Sequence, residues 1–387
     1  MANTDLNRAG KYISQPSGYK AFIPNPLPPD SSLIMDEEII RLLSLADQNI
    51  GRLDGVCYAV PDTELFIKTI AKMYVRKEAV DSSQIEGTRA SLIDELELEA
   101  GLPASSGSTD ADEIRNYIEA MNYGLKRLEE LPLCLRLLRE IHEKLLSGVR
   151  GHNRSPGQFR KSQNWIGPPG SAINTATYIP PPVPQMNEAL DALEKFLHKA
   201  DSIPVLIKIG LLHAQFEMIH PFLDGNGRIG RLLITLYLCQ QKILSQPLLY
   251  LSKVLSQSRQ EYSGLLSQIS KNGDWEQWLK FYLRAVVIAA EDAAAKIKEI
   301  VLLRNRHRQL IIDGTQSRAK SALVVLESLF SQPLVSFGKV AELLDVSNQT
   351  ANNLLNDFVE MGILVEQTGK KRNRVYMYKD YVQMFMN

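Results

Sequence analysis

The chain has few cysteines, no long apolar run and no excess of either charge. Its three cysteines, Cys57, Cys134 and Cys239, stand far apart, form no CxxC pair and cannot make an even disulfide set. No apolar stretch reaches the roughly 20 residues that a membrane-spanning helix requires, and residues 1–8 lack the apolar run of a signal peptide. Lysine plus arginine equals aspartate plus glutamate, 44 each, so no global field directs the chain to nucleic acid or to a membrane surface. These absences lead to the expectation of a soluble cytoplasmic protein with reduced thiols and no membrane partner. What is present is ordinary globular composition: 387 residues, 44% of them hydrophobic, are enough for two or three domains with cores of their own.

Along the chain, Lys20 to Asp30 (KAFIPNPLPPD) is too rich in proline to be helical and is expected to lie extended on the surface. Helical periodicity runs from about Asp36 to Asn49 and from Thr63 to Glu99, followed by a small polar stretch, Gly101 to Thr109, that reads as a linker or mobile loop. Asp110 with Glu113 reads as a capping pair for the next helix, and Leu133 to Leu146 as another. Residues 156–184 change character. Phe159 to Ile166 and Thr175 to Ile179 are β-prone, separated by Gly167-Pro-Pro-Gly170 and closed by Pro180 to Pro182, a hairpin-like pattern. Helices resume over Glu188–His198, Pro204–Ile219, Arg228–Gln241, Ser252–Ser270 and Trp275 to about Arg304. From about Ser317 short helices (Ala322–Phe330, Phe337–Leu344, Asn348–Met361) precede two short strands around a basic tip, Lys370 to Arg374, in the order of a winged helix-turn-helix. The expected division is 1–105, 106–300 and 310–387.

Residues 220–231 read HPFLDGNGRIGR and concentrate the chemistry. His220 has the pKa range of a general base. Asp224 offers a hard oxygen to a divalent cation such as Mg²⁺. Gly225 and Gly227 let backbone approach a phosphate without a Cβ in the way. Asn226 can donate a side-chain hydrogen bond, and Arg228 and Arg231 carry planar forks suited to phosphate oxygens. Apolar helical flanks place the stretch between two helices, with backbone N–H groups opening the second one, which is an anion site. Asn226-Gly227 by itself suggests a hairpin turn, but hairpins need flanking strands. His213 makes no HExxH pair with His220, so a zinc hydrolase has little support and His213 reads as structural.

This stretch resembles the signature of the Fic family, HPFx[D/E]GNGRxxR, at every defining position, and the FIPNPLPP run resembles the N-terminal extension common in bacterial Fic proteins. The resemblance implies a mainly α fold: a Fic-type helical core with a β-hairpin flap, here followed by a C-terminal winged helix-turn-helix domain. It implies a protein adenylyltransferase that moves AMP from ATP to a Tyr, Thr or Ser hydroxyl of a target protein and releases pyrophosphate. His220 is then the base, Asp224 the Mg²⁺ ligand, and Gly225, Asn226, Gly227, Arg228 and Arg231 the phosphate site, with Arg231 on the γ-phosphate. The flap, residues 164–179, would cover the nucleotide through Thr175, Ala176, Thr177 and Tyr178 and pair with an extended stretch of the target. Asp81 to Gly87 resembles the family's inhibitory helix, [S/T]xxxE[G/N], through Ser82, Glu86 and Gly87, so Glu86 would pair with Arg231 and displace the γ-phosphate. Relatives with an N-terminal brake often dimerise, which makes a homodimer the expectation.

Two alternatives stay open. A Fic-type enzyme can transfer another phosphate-containing group, and the chain can be a nucleotide-sensing regulator that binds DNA. The helix at 348–361 offers Asn348, Gln349, Thr350, Asn352 and Asn353 but no arginine, so DNA contact and protein docking are both compatible with it.

Overall fold

A computed structural model describes residues 7–29, 33–56, 63–102, 108–168, 170–315, 318–370 and 374–386. Cys57, Asp30, residues 103–107 of the polar stretch and residues 371–373 of the basic tip lie outside the described residues.

The chain opens with an antiparallel pair, β1 (Gly10–Ser14) and β2 (Lys20–Pro24), in the register Gly10 opposite Pro24 and Tyr12 opposite Phe22. β2 is the first part of the proline-rich segment, extended as its composition demands. It is tied inward as well: Gln215 donates to Asn25 O (2.8 Å), and Phe22 N–H to Ile179 O (2.9 Å).

Helices α1 (Glu37–Val56), α2 (Thr63–Ile85), α3 (Leu92–Glu99), α4 (Ser108–Arg127), α5 (Leu135–Leu145), α6 (Val183–His198), α7 (Val205–Ile219) and α8 (Asn226–Gln240) follow. Then come α9 (Leu251–Gln257), α10 (Arg259–Asn272) and α11 (Trp275–Thr315). The 252–270 stretch, expected as one helix, is broken at Ser258 (φ −111°, ψ 32°), which leaves the helical region. α11 has 41 residues and runs on past Arg304.

α7 is apolar on almost every side, and a helix of that kind is stable only at the centre of a fold. Its residues are nearly all buried, and two of its polar ones are held by specific partners. Lys208 Nζ donates to Lys199 O (2.6 Å), and the His213 ring nitrogens lie 2.9 Å from Gly230 O and 2.9 Å from the Tyr262 hydroxyl. Against α7 lie α8 and the first turns of α11, where Trp278 Nε1 donates to Gly210 O (2.9 Å). The motif loop joins α7 to α8, so both ends of that loop are anchored in largely buried helices.

Past α11 come α12 (Ala319–Leu329), β3 (Leu334–Ser336), α13 (Phe337–Leu344), α14 (Asn348–Glu360), β4 (Val365–Glu366), β5 (Val375–Met377) and α15 (Lys379–Met386), with an antiparallel sheet in the order β3-β5-β4. This C-terminal module packs on α2. Phe330 meets Phe66 edge-on at 5.0 Å, Phe385 meets Tyr74 at 5.2 Å, and Arg76 donates to Ser331 O (2.7 Å).

The flap segment differs from the expected hairpin. A single antiparallel bridge, Ile166 with Tyr178, joins its arms, and a 3₁₀ turn (Ile173–Thr175) forms the far end. Pro168 and Pro180 to Pro182 lack the N–H groups that would extend a ladder. The Trp165 indole and the Thr175 hydroxyl bond instead to Ser171 O (2.9 Å) and Ala172 O (3.1 Å).

At Gly210 α7 packs tightly on α11. A Cβ there would stand 2.8 Å from the Tyr282 ring and 3.2 Å from Leu279 Cδ2. Gly210→Ala should therefore lower the unfolding free energy by about 1–3 kcal/mol in urea titrations; an unchanged midpoint would refute that packing.

Candidate active site

α7 ends at His220, whose backbone is left-handed (φ 49°, ψ 60°). Pro221 behind it disfavours continued right-handed helix at His220. The four carbonyls from Ile219 to Phe222 then point away from any helical ladder, and each finds a donor. Arg160 supplies three: its guanidinium reaches Ile219 O (3.5 Å) and His220 O (3.0 Å), and its backbone N–H reaches Pro221 O (2.9 Å). Asn164 Nδ2 reaches His220 O (3.3 Å) and Phe222 O (2.8 Å). Phe222 is fully buried and stacked on His142, with ring centroids 3.8 Å apart and planes 7° apart.

The turn into α8 is Asp224-Gly225, with Gly225 at φ 78°. Asp224 Oδ1 accepts from Gly225 N–H (2.6 Å), and Asp224 O lies 3.0 Å from His142 Nε2. Gly157 N–H donates to His142 Nδ1 (2.9 Å), so His142 is a neutral Nε2–H tautomer bracing the loop. The Asn226 side chain differs from the expected phosphate donor. Its oxygen accepts from Phe222 N–H (2.8 Å) and its amide donates to Phe222 O (2.8 Å), closing the turn on itself. Ile229 is the first residue of α8 whose N–H reaches back into the turn, to Gly225 O (3.0 Å), so the preceding amides form the open mouth of the helix.

A carboxylate sits at that mouth. A Cβ on Gly227 would fall 2.2 Å from Glu86 Oε1, so only glycine leaves room for it. Glu86 Oε1 also takes Arg231 NH2 (2.7 Å), while Arg231 Nε donates to Ser82 Oγ (2.8 Å) and NH2 to Ser82 O (3.0 Å). Ser82 is in the last turn of α2. Glu86 follows just past the helix end, where Gly87 (φ 97°) reverses the chain.

Beyond that reversal, Thr88 donates to Glu113 Oε2 (2.7 Å) and Arg89 N–H to Asp110 Oδ2 (2.8 Å). Asp110 and Glu113 thus hold the chain behind Glu86 and do not act as the capping pair their spacing suggested.

Burial works against charge on both Glu86 and Arg231. The adjacent guanidinium nevertheless holds the Glu86 carboxyl below the usual carboxylate range, and Glu86 in turn holds Arg231 above its ordinary value. Arg228 is less well matched. It is 1% exposed, its Nε and NH1 have no hydrogen-bond partner, and its carboxylate neighbours stand at 3.7 Å (Glu113) and 3.6 Å (Asp224). Burial pushes the His220 imidazole down to about 4, with Arg160 acting in the same direction and Glu86 and Asp224 opposing. Its Nδ1 is buried without a partner.

Asp224 is the carboxylate at the mouth with free oxygen capacity: Oδ2 faces the Gly151 turn, where a Cβ would be 2.8 Å away. Among the described residues no three acidic, histidine or cysteine side chains form a metal cluster. One half-exposed carboxylate fits a Mg²⁺ ion whose other ligands are phosphate oxygens and water.

The structure therefore brings together His220, Asp224, Gly225, Gly227, Arg228, Arg231, Ser82 and Glu86. The flap residues stand apart. Tyr178 gives its hydroxyl to Met218 O (2.7 Å) and rests its ring near Phe22, and Thr177 N–H donates to Ile166 O (2.8 Å). Thr175 is exposed and bonded within its own turn, and Ala176 N–H caps the same turn on Ile173 O (3.3 Å). The residues sequence reasoning missed are Arg160, Asn164, His142 and Glu113. Each acts across a long sequence separation, and no local spacing marks it.

Residues 132–238 match the Fic/DOC family and residues 40–126 the Fic/DOC family N-terminal region. The chain belongs to the Fic/DOC family. A relative from Aquifex aeolicus, named a probable protein adenylyltransferase, is 26% identical over 208 residues, 54% of this chain and 61% of that protein. The protein adenylyltransferase Fic of Aedes aegypti is 27% identical over 288 residues, 72% of this chain and 53% of that protein. The chain thus spans about half to three fifths of these relatives' lengths. Among solved structures, a Fic family protein from Desulfovibrio desulfuricans G20 has the same fold, with a TM-score of 0.59 at 20% identity over 90% of this chain and 97% of that one. A Fic-domain signaling protein from Bacteroides thetaiotaomicron gives 0.51 at 17% identity, over 67% of this chain and 96% of that one. The Fic/DOC fold therefore covers the helical core and places the 220–231 loop at its centre. No helix among the described residues is long and apolar enough to cross a membrane.

Buried histidines around the Fic/DOC loop make stability depend on pH. Burial pushes His142 and His213 down to about 4. In the unfolded chain both protonate near 6.5. Between those values the unfolded state binds protons that the folded state refuses, so the stabilisation is complete above about 6.5 and is lost as pH falls through about 4. His142→Gln, compared with the native chain by urea unfolding, should gain stability relative to it as pH falls from about 7 to about 5; a difference that stays constant with pH would contradict the assignment.

Proposed function

We propose that this chain is a protein adenylyltransferase held inactive by Glu86. In this reading a Tyr, Thr or Ser hydroxyl of a target protein attacks the α-phosphorus of ATP. The new O–P bond forms as the bond to the bridging oxygen of pyrophosphate breaks, and His220 takes the hydroxyl proton. His220 suits that role because burial and the Arg160 charge keep it neutral. Its Nδ1 is enclosed, which leaves Nε2 to accept the proton. The first amides of α8, with Arg228 and Arg231, compensate charge on the phosphates, and such preorganised donors carry most of the rate in phosphoryl chemistry. Asp224 would hold Mg²⁺, which supplies charge neutralisation on the departing phosphates when bound. Residues 164–179 form the flap over the nucleotide, and the short bridge leaves backbone groups available for pairing with a target strand.

The observation that carries the reading is the Glu86 carboxylate seated on Gly227 and Arg231, an anion already bound where a phosphate would go. The partnerless guanidinium nitrogens of Arg228 beside it support the same site. Glu86 and the γ-phosphate compete for Arg231, so removing the carboxylate frees a buried cation for nucleotide. The names of the relatives, protein adenylyltransferase, accord with this.

Incubation with α-labelled ATP tests it. A charge-assisted contact of about 1.5–3 kcal/mol is removed in Glu86→Gly, so labelling should rise about tenfold or more over the native chain. Glu86→Gly with His220→Ala should give no label. Label arising only from the γ-position would replace AMP transfer by phosphoryl transfer. No label from Glu86→Gly would leave a nucleotide sensor.

The reading extends to partners. The target protein and a second copy of the chain are the expected ones, and residues 310–387 are read as a winged helix-turn-helix. Its α14 exposes Gln349, Thr350 and Asn353, which suit adenine edges. A mobility assay of the whole chain on duplex DNA decides between DNA and protein docking: DNA contact requires binding at low salt that weakens steeply as salt is added.

A further inference from the structure

Arg160 is a buried guanidinium with no carboxylate partner among the described residues. It is 1% exposed, and its donors go to backbone carbonyls alone: Ile219 O, His220 O, Ser162 O (3.2 Å) and Pro181 O. Burial pushes its pKa down to about 10, still far above neutrality, so it carries its charge into the interior. Burying an unpaired cation is expensive, and an apolar side chain of similar length would fill the space at lower cost. A residue that merely joined the root of the flap to the core would have no need of a fork.

The fork has a specific target. His220 adopts a left-handed backbone, which disfavours any residue with a Cβ by roughly 1–2 kcal/mol and survives only where its surroundings over-determine it. Around this peptide the over-determination comes from one short segment. Arg160 and Asn164 together satisfy the carbonyls of Ile219, His220, Pro221 and Phe222, and both reach His220 O. The direction of the His220 Cα–Cβ bond follows from that backbone. If the peptide relaxes toward an ordinary region, the imidazole swings off the line to the mouth of α8.

We propose that Arg160 is a positioning residue for His220: its guanidinium fork, seconded by Asn164, locks the His220 peptide and thereby sets the imidazole against the phosphate site. This rests on the reading of His220 as the base. Arg160 touches neither nucleotide site nor target in this role; it acts through the histidine. The phosphate donors on α8 are held by other groups, the Asn226 amide and the His142 brace, so nucleotide affinity should be separable from turnover.

The test uses the whole chain in the Glu86→Gly background, with Arg160→Lys and Asn164→Ala compared with Glu86→Gly alone. Lysine keeps the charge but offers a point donor that cannot bridge several carbonyls. A misplacement of about 1 Å at a reacting group costs about 100-fold. Arg160→Lys should therefore lower kcat for AMP transfer by about 30- to 100-fold, and Asn164→Ala by about tenfold, with KM for ATP unchanged within about twofold. Thermal melts above the assay temperature accompany each variant. A wild-type kcat in Arg160→Lys overturns the proposal, as does a parallel loss of kcat and nucleotide affinity, the mark of general distortion. Should Arg160→Lys fail to fold, an unchanged kcat in Asn164→Ala overturns it equally. The His220→Ala control separates the two claims. If it stays active, the base reading falls and this one with it; if it is dead beside a fully active Arg160→Lys, only this one falls.

Discussion

A buried guanidinium must be matched, and in this molecule the matching of Arg231 dictates where α2 lies. Arg231 projects from the second turn of α8 into a space closed by apolar helices. It can be accommodated there only with oxygen around it. Ser82 gives a hydroxyl and a carbonyl, and Glu86 gives a carboxylate. Because those three oxygens come from the last turn of α2 and the residue beyond it, the helix end is pinned over the mouth of α8. The pinning propagates. Thr88, just past Gly87, holds Glu113, and Glu113 in turn stands near Arg228 of the same loop. The two arginines of the motif therefore share one network with the segment that covers them. Displacing the carboxylate from Arg231 requires a replacement anion of comparable strength.

The loop itself illustrates how unusual backbone is kept in place. His220 and Gly225 both lie in the left-handed region, with only four residues, the buried Phe222 among them, between the two. Glycine adopts that conformation freely; histidine does not. The difference explains the unequal bracing. Gly225 needs little beyond the carboxylate of Asp224, whereas the His220 peptide is gripped by a guanidinium, an amide and a backbone N–H from residues 160–164.

Much of this was legible before any coordinates. The 220–231 stretch and the Ser82/Glu86 pair carry their chemistry in local order, and the apolar faces of α7 and α13 fixed helices close to their observed bounds. The remainder depends on partners far apart in sequence. Asp110 and Glu113 look like a helix cap because carboxylates at that spacing usually are, yet their acceptors were claimed by Thr88 and Arg89 from another helix end. The amide of Asn226 looked free for a phosphate because the tight return to Phe222 is a property of the folded turn. β1 escaped notice because its exposed residues alternate with nothing to bury until β2 lies beside it. The flap's β-prone residues suggest a fuller hairpin than forms, because the prolines that interrupt them leave room for one bridge only.

One consequence concerns α2. It is a 23-residue helix, hence a rod of about 34 Å. Near its start Phe66 is clasped by Phe330, and midway Tyr74 and Arg76 meet Phe385 and Ser331. Its other extremity delivers Ser82 and Glu86 to Arg231. A stiff rod seized at both ends cannot absorb a tilt by bending. Torque applied through the C-terminal module would arrive, about 30 Å away, at the carboxylate seated on the mouth of α8.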